Sequence, residues 1–218
     1  MQPMISDHTA PRLILASGST YRRLLLARLQ LSFEVVAPDI DEKQLIAEAP
    51  QATAIRLAQE KAAAVAADFP NALVIGSDQV ATLDGQQIGK PGTHAKALAQ
   101  LQTMRGRRVL FHTALCLHDT RPAAAQTIQT TSIATTVTFR NLSDASLDAY
   151  LRIEQPYDCA GSAKNEGLGI ALIASCESAD PTALTGLPMI ALCGMLMVAG
   201  VQFFTGTQVA APFASTRS

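Results

Sequence analysis

The sequence predicts a single α/β domain whose mixed β-sheet is flanked by helices. The 218 residues match the length of one domain, and 48% hydrophobic against 16% charged residues excludes a largely disordered chain. Short apolar runs alternate with helical patterns in the first half, which is typical of strands joined by helices. Two strand-like segments at 109–117 and 130–139 then indicate a long antiparallel pair joined by a surface loop.

The first half is expected to begin strand, helix, strand. Residues 12–16 form a short apolar run and predict a buried strand, and the leucines that follow recur at helical spacing. A second strand is predicted over 33–37, where Pro38 ends it. Residues 51–67 are rich in alanine and contain no glycine or proline, so they predict a helix.

The middle of the chain predicts a strand, a hairpin turn and a helix. Residues 72–83 are mostly apolar and predict a strand that is interrupted near Gly76. The pair Asp84-Gly85 is a hairpin turn signal. The segment 94–104 predicts the next helix.

The last part predicts helix, strand and helix. A helix over 144–153 is capped by Ser143, and 169–175 predicts a strand. The charge-free stretch 187–204 is nearly long enough to span a bilayer. Pro188 is a helix-start signal and Gly200 a helix-stop signal, and no basic or aromatic anchors flank the stretch. We therefore expect a short buried helix of a soluble protein instead.

Composition excludes several classes of function. With 17 basic and 18 acidic residues the net charge is −1, which argues against a nucleic-acid coat and a polybasic membrane binder. Tryptophan is absent and aromatic residues are 5%, so a platform that stacks single-stranded bases is not expected. The four histidines lack the spacing of a zinc site.

The cysteines and the chain ends predict a cytoplasmic domain with short extensions. Four cysteines occur without a C-x-x-C pair, three of them in apolar surroundings, which favours small buried hydrophobic residues in a reducing compartment. We expect a flexible extension over 1–11 with no secretory signal, a domain over 12–204, and a disordered tail over 205–218.

The first strand-loop-helix unit has the residues of an anion site. Backbone N–H groups at a helix start attract phosphate, and Ser17, Ser19 and Thr20 add hydroxyl groups there. Arg22 and Arg23 place two positive charges in the first turn, where they oppose the helix dipole unless an anion joins them. The alternative is a pair of solvated arginines on an amphipathic helix.

Carboxylates follow two of the predicted strands. Asp39, Asp41 and Glu42 come after the second strand, and Asp78 follows the apolar run of the third. Carboxylates at strand ends of an α/β sheet are where ligands and Mg²⁺ are held, although a solvated turn explains the first group equally well.

Two lysines and one alternative motif complete the candidates. Lys61 within AQEKA and Lys90 within GKPG are either ordinary surface lysines or phosphate-binding cations. Asp39-Ile-Asp41 resembles the nucleophile motif of haloacid-dehalogenase-type phosphatases, but Lys43 stands at the fifth position, where that motif has threonine or valine. Cations together with carboxylates point to phosphoryl chemistry.

Seven segments in order resemble the Maf family of nucleotide pyrophosphatases over residues 12–202. They are LILASGSTYRRLLLARL, FEVVAPDIDE, LAQEKA, IGSDQV, GKP, CAGSAKNEGLGI and LTGLPMIAL. The resemblance implies an inosine-triphosphatase-like architecture. Ser77-Asp78-Gln79 and Glu166 are similar to the branch that acts on 7-methyl-GTP. Thr20 stands where the family has proline, and Tyr21 where this branch has tryptophan.

The resemblance implies hydrolysis between the α- and β-phosphates of a nucleotide, in a house-cleaning role. Asp78 would be the general base, and Glu42 with Asp78 would hold Mg²⁺ or Mn²⁺. Base specificity would fall on Tyr21, Gln79 and Glu166. The phosphate-binding residues would be Ser17, Arg22, Arg23, Lys61 and Lys90.

Alternative activities and the oligomeric state stay open. One alternative is an enzyme of the same family that prefers dTTP or UTP, and another is a phosphomonoesterase that acts through Asp39. A third is a regulator of cell division or septum formation that binds a nucleotide without significant turnover. A monomer and a homodimer are both compatible with the sequence.

Overall fold

The computed structural model describes residues 11–204, which contain seven strands and five α-helices. The strands are β1 (Arg12–Ala16), β2 (Glu34–Val36), β3 (Ala72–Leu83), β4 (Gln86–Ile88), β5 (Arg108–Asp119), β6 (Ile128–Phe139) and β7 (Ile173–Ser178). The helices are α1 (Thr20–Ala27), α2 (Pro50–Ala66), α3 (His94–Met104), α4 (Asp144–Glu154) and α5 (Met189–Val198). The predicted tail and the predicted extension, apart from Pro11, lie outside the described residues.

The strands form one mixed sheet in the order β2-β1-β3-β5-β6-β7, with β4 paired to the far half of β3. β1 is parallel to both β2 and β3, whereas β5, β6 and β7 follow as antiparallel neighbours. The predicted α/β class and the long antiparallel pair are therefore confirmed. The β3–β4 hairpin turns at Asp84 and Gly85, both with positive φ, as their sequence predicts.

The predicted interruption of β3 at Gly76 is wrong. β3 runs unbroken for 12 residues and pairs with β1 and β5 through this position. A Cβ atom on Gly76 would lie 2.1 Å from the Ala58 carbonyl oxygen and 2.7 Å from the Ala62 nitrogen. Glycine therefore serves close packing of α2 on the sheet here rather than a break in the strand.

The predicted strand over 169–175 is also wrong in its first half. Residues Leu168–Leu172 form a 3₁₀ turn, and β7 begins only at Ile173. The turn closes because the Gly169 nitrogen donates to the Lys164 carbonyl oxygen at 3.0 Å. A Cβ on Gly169 would lie 2.5 Å from the Lys164 backbone, so glycine permits the close approach of this turn. The chain is therefore a tight turn here rather than an extended strand.

The helix signals near the C-terminal end are confirmed. Ser143 caps α4 by accepting a hydrogen bond from the Ser146 nitrogen, and α5 begins directly after Pro188. Leu192 and Leu196 of α5 are fully buried in the core, but Ile190, Met197 and Val198 are more than half exposed, so the predicted buried helix is buried on one face only. No helix within residues 11–204 is long and apolar enough to cross a membrane.

The cysteine prediction holds in part. Cys116 is buried under α2, but Cys176 is exposed because it lies on β7, at the edge of the sheet. Cys159 and Cys193 are half-buried, and all four thiols are free.

The two faces of the sheet are covered by different helices, and this positions the site. Alanines of α2 pack against one face, while leucines of α1 and α5 pack against the other. Ala16 pairs with Gly76, so the end of β1 and the middle of β3 lie side by side. The residues that follow them, Ser17 and Ser77-Asp78, consequently meet at the same level of the sheet.

Candidate active site

A cavity of about 800 Å³ opens where β1 ends against β3. A pocket of this volume accommodates a nucleotide-sized ligand. Its charged, polar and aromatic lining includes most of the side chains that the sequence singles out: Ser17, Tyr21, Arg22, Glu42, Lys61, Asp78, Gln79, Lys90 and Glu166. Arg23 and Asp39 are exposed and are not among the lining residues.

The β1–α1 turn presents a helix N-terminus to this cavity. Ser19 is the N-cap of α1 and accepts a hydrogen bond from the Arg22 nitrogen at 3.4 Å. Ser17 Oγ accepts from the Ser19 nitrogen at 3.1 Å and so fixes the turn. Thr20 is the first helical residue rather than the cap, a position where the proline typical of the family also fits. The turn provides backbone donors suited to a phosphate.

Arg22 is anchored on the cavity wall. Its Nε donates to the Gly186 carbonyl oxygen at 2.8 Å, and its Nη1 lies 3.4 Å from Ser17 Oγ. Burial lowers the pKa of Arg22, while the negative charges of Asp78 and Glu42 oppose this change. A partly desolvated, fixed guanidinium is a strong partner for phosphate oxygens.

The loop before α5 supplies main-chain acceptors that fix these side chains. The Gly186 carbonyl oxygen also accepts from Ser77 Oγ at 2.9 Å, and Gly186 has a φ of +109°, which favours glycine. Asp180 is 1% exposed, and its Oδ2 accepts from the Ile190 nitrogen at 2.7 Å in the first turn of α5. The same loop therefore joins the cavity to the start of α5.

Lys61 joins the two carboxylates of the cavity. Its Nζ lies 2.6 Å from Asp78 Oδ1 and 2.6 Å from Glu42 Oε1. Lys61 and Asp78 are buried, with side chains 7% and 12% exposed, whereas Glu42 is half exposed. Partial burial disfavours ionised Glu42, but the hydrogen bond and charge of Lys61, with Lys90 and Arg22, hold its pKa below the ordinary value. Glu42 is therefore an anion at neutral pH.

The carboxylate pair fits a divalent cation that is held together with a phosphate. Within residues 11–204 no group of three or more His, Cys, Asp or Glu side chains is placed to hold a metal. Glu42 and Asp78 do converge, since both lie within 2.6 Å of one ammonium nitrogen. Mg²⁺ is commonly held by one or two carboxylates and completed by substrate phosphates and water, which is the donor set available here.

Gln79 lines the cavity, and its amide nitrogen is held by the protein. Its Nε2 donates to Thr113 Oγ1 at 2.9 Å and to the carbonyl oxygens of Ala183 and Leu184, both at 3.0 Å. These contacts take up the amide nitrogen and fix the orientation of the amide. With the nitrogen held in this way, the amide oxygen of Gln79 is the atom available to accept a hydrogen bond.

Tyr21 and Glu166 belong to the same end of the cavity. Tyr21 is half-buried, and its ring centroid lies 5.8 Å from Lys164 Nζ. Surrounding protein reduces the hydration of the Glu166 carboxylate and raises its pKa. A backbone hydrogen bond and the charge of Lys164 oppose this effect, and the negative charge of Glu154 adds to it. Lys164 and its partner Glu154 were not predicted from the sequence, although Lys164 lies in the SAKNEG segment.

An α/β sheet with such a cavity at the end of a parallel strand is the arrangement of proteins that bind a phosphorylated ligand. The chain belongs to the Maf family, since residues 12–199 match the family described as Maf-like protein. Both the predicted family and the predicted fold class are thus confirmed.

Proteins similar to this chain carry a common name. The 7-methyl-GTP pyrophosphatase of Cupriavidus metallidurans is 66% identical over 200 residues, which cover 92% of this chain and 99% of that protein. The 7-methyl-GTP pyrophosphatase of Burkholderia pseudomallei is 64% identical, over 89% and 90% of the two chains. Among solved structures, the Ham1 protein of Staphylococcus aureus superimposes with a TM-score of 0.42 at 14% identity, covering 60% of this chain and 72% of that one.

Proposed function

We propose that this protein hydrolyses the bond between the α- and β-phosphates of 7-methyl-GTP, giving 7-methyl-GMP and pyrophosphate. Relatives that are 60–66% identical to this chain, aligned over most of their own length, are named 7-methyl-GTP pyrophosphatase. The observation that carries the proposal is a cavity with a cationic, carboxylate-containing wall near the β1–α1 turn and a second wall formed by Tyr21, Gln79 and Glu166.

The first wall binds the triphosphate. Ser17 and the backbone of the β1–α1 turn donate hydrogen bonds, and Arg22, Lys61 and Lys90 neutralise the phosphate oxygens. Arg23 is exposed beside this wall, so it adds a weaker, solvent-screened attraction. These groups hold the anhydride in place and stabilise the charge that develops as pyrophosphate leaves.

Asp78 acts as the general base. Its Oδ1 is paired with Lys61, so the carboxylate has a fixed orientation and its other oxygen is available to a water molecule. The proton of that water passes to Asp78 as the oxygen attacks the phosphorus, and the bridging oxygen leaves with pyrophosphate. Glu42 and Asp78 would hold Mg²⁺ or Mn²⁺, which supplies charge neutralisation when bound.

The second wall recognises the base. Methylation of guanine at N7 gives the ring a positive charge, which the Glu166 carboxylate attracts. Tyr21 adds a cation–π contact of about 0.5–2 kcal/mol. The Gln79 carbonyl oxygen accepts from an N–H group of the base. A nucleotide substrate and free thiols both fit the cytoplasm, where we place a house-cleaning role.

A nucleotide panel tests the proposal. The purified protein is incubated with Mg²⁺ or Mn²⁺ and 7-methyl-GTP, GTP, dTTP, UTP or CTP, and the products are identified. We expect monophosphate and pyrophosphate chiefly from 7-methyl-GTP. Preference for dTTP or UTP would overturn the base assignment, and orthophosphate as product would favour a phosphomonoesterase. Tight binding without turnover would instead favour a nucleotide-binding regulator.

A further inference from the structure

Glu154 is the last residue of α4 and lies behind the base end of the cavity. Its side chain is 14% exposed, and its Oε1 lies 3.0 Å from Lys164 Nζ. Its Oε2 accepts a hydrogen bond from the Leu168 nitrogen at 2.7 Å. At Gly167 a Cβ would lie 2.6 Å from that oxygen, so a larger residue there would displace the Glu154 carboxylate. Glu154 thus contacts both ends of the turn 164–168.

The turn carries Glu166 and is held from α4 at a second point. Tyr150 lies one helical turn before Glu154 and therefore on the same face of α4. Its hydroxyl accepts from the Lys164 nitrogen at 3.1 Å and donates to the Ser162 carbonyl oxygen at 3.2 Å. Tyr150 therefore fixes the backbone of the turn, whereas Glu154 also holds the charge of Lys164.

Lys164 interacts with two carboxylates, Glu154 and Glu166, and which of the two it pairs with matters for a bound base. Its contacts with Tyr21 and Glu154 raise its pKa, so it is an ammonium ion at neutral pH. Its charge also acts on Glu166, the carboxylate that faces the ligand. The four-carbon side chain of lysine is flexible, so without its present partner Lys164 can turn toward Glu166.

We propose that Glu154 is a positioning residue for base selection: it keeps Lys164 beside Tyr21 and leaves the Glu166 carboxylate unpaired with a cation and so able to attract a positively charged base. This inference rests on the proposed function. An ion pair between Lys164 and Glu166 would occupy the carboxylate that attracts N7-methylguanine. Glu154 prevents that competition by supplying Lys164 with a different anion.

Two substitutions and their combination test this inference. Glu154→Gln keeps an oxygen for the Leu168 nitrogen but removes the charge that pairs with Lys164, and Lys164→Met removes the competing cation. We expect Glu154→Gln to lower the ratio of kcat/KM for 7-methyl-GTP over GTP by about three- to five-fold, the scale of one partly exposed ion pair. The loss should appear in KM rather than kcat.

The double variant distinguishes a positioning role of Glu154 from a general structural defect caused by its substitution. We expect Glu154→Gln/Lys164→Met to return the ratio to within about two-fold of the wild type, because no cation remains to occupy Glu166. A double variant as impaired as Glu154→Gln would overturn the inference. Glu177→Gln, on exposed β7 and 3.6 Å from Arg108, is the matched control and should leave the ratio unchanged.

A titration gives a readout that does not depend on turnover. In ¹³C-glutamate-labelled protein, the wild-type Glu166 carboxyl should titrate above its ordinary pKa. Loss of the Glu154 charge by itself removes one influence that raises this pKa, whereas a direct ion pair with Lys164 should bring the pKa below its ordinary value in Glu154→Gln. A Glu166 pKa that stays above its ordinary value in Glu154→Gln would refute the proposed pairing. Absence of 7-methyl-GTP preference in the wild type would instead refute the proposed function, so the two failures are distinguishable.

Discussion

Lys61 Nζ lies 2.6 Å from Asp78 Oδ1, and both side chains are buried. Breaking a buried ion pair by removing one partner leaves an uncompensated charge, so Lys61 and Asp78 depend on each other at this position. α2 contributes the lysine and β3 contributes the aspartate. The packing of α2 against β3 therefore places a cation beside the proposed base.

Asp78→Asn should lower kcat by about 10²–10⁴-fold, because the amide cannot accept the proton of the attacking water. Turnover of 7-methyl-GTP with product identification measures the effect, and circular dichroism verifies folding. Asp39→Asn is the matched control, since Asp39 is exposed and outside the cavity lining, and it should keep wild-type activity. The reverse result would favour the phosphomonoesterase alternative.

The adjacent arginines of α1 should behave differently. Arg22→Ala removes a guanidinium fixed by Gly186 and should raise KM by roughly ten- to hundred-fold, as expected for lost charge-assisted hydrogen bonds. Arg23 is exposed, so Arg23→Ala should change KM by no more than about two-fold. Steady-state kinetics at two salt concentrations make this comparison. Equal losses in the two variants would count against the assignment.

Glu166→Gln should reduce the preference for 7-methyl-GTP over GTP by about five-fold, because the amide loses the attraction to a cationic base while it keeps a hydrogen-bond acceptor. Competition between the two nucleotides in one reaction measures the ratio directly. A ratio equal to that of the wild type would show that charge on Glu166 does not select the base.

The ion pair between Glu48 and Arg56 should make stability depend on pH. The hydrogen bond from Arg56, together with those from Thr53 and the Leu45 nitrogen, lowers the pKa of Glu48 to about 2. The folded state thus binds this proton less readily than the unfolded chain. The contribution is complete above the ordinary glutamate pKa of about 4.5 and is lost as the pH falls toward 2.

Thermal unfolding of Glu48→Gln tests this dependence. The Tm of the variant should lie below that of the wild type at pH 6, and the two curves should converge toward pH 2. In Glu177→Gln the difference should be small at every pH, because its pair with Arg108 is exposed and 3.6 Å long. A constant difference for Glu48→Gln across the range would contradict the expected linkage.

Gly76→Ala should destabilise the protein by about 3 kcal/mol, because the added methyl group overlaps the backbone of α2. Urea unfolding measures the change. Gly194→Ala in α5 is the control, since nothing lies within 4 Å of its Cβ position. It should stabilise the helix by about 0.5–1 kcal/mol.

Residue type and strand ends made part of the site predictable. Ser17 follows β1 directly, and parallel pairing of β1 with β3 brings it level with Asp78. The expected strand end at Asp78 is wrong, because Asp78 lies inside the 12-residue strand β3. The sequence did not distinguish Arg22 from Arg23, because the direction of each side chain depends on how α1 packs against the sheet.

Other features depend on contacts that no local pattern encodes. Gly76 is an unfavourable strand residue by propensity, yet the packing of α2 requires it there. The ion pair of Glu154 and Lys164 joins a helix end to an irregular turn, so no periodicity marks it. The 3₁₀ turn at Leu168–Leu172 has the composition of a strand and is decided by hydrogen bonds to Lys164 and Glu154.

The carbonyl oxygen of Gly186 accepts from Arg22 and from Ser77, and the loop that carries it also caps α5 through Asp180. A nucleotide that immobilises Arg22 therefore restrains the last helix of the described chain as well. Ligand occupancy becomes thermodynamically linked to docking of α5, so its backbone amides should exchange with deuterium more slowly in the bound protein. Deuterium exchange in α5, the last helix of the described residues, then reports on a cavity that this helix does not line.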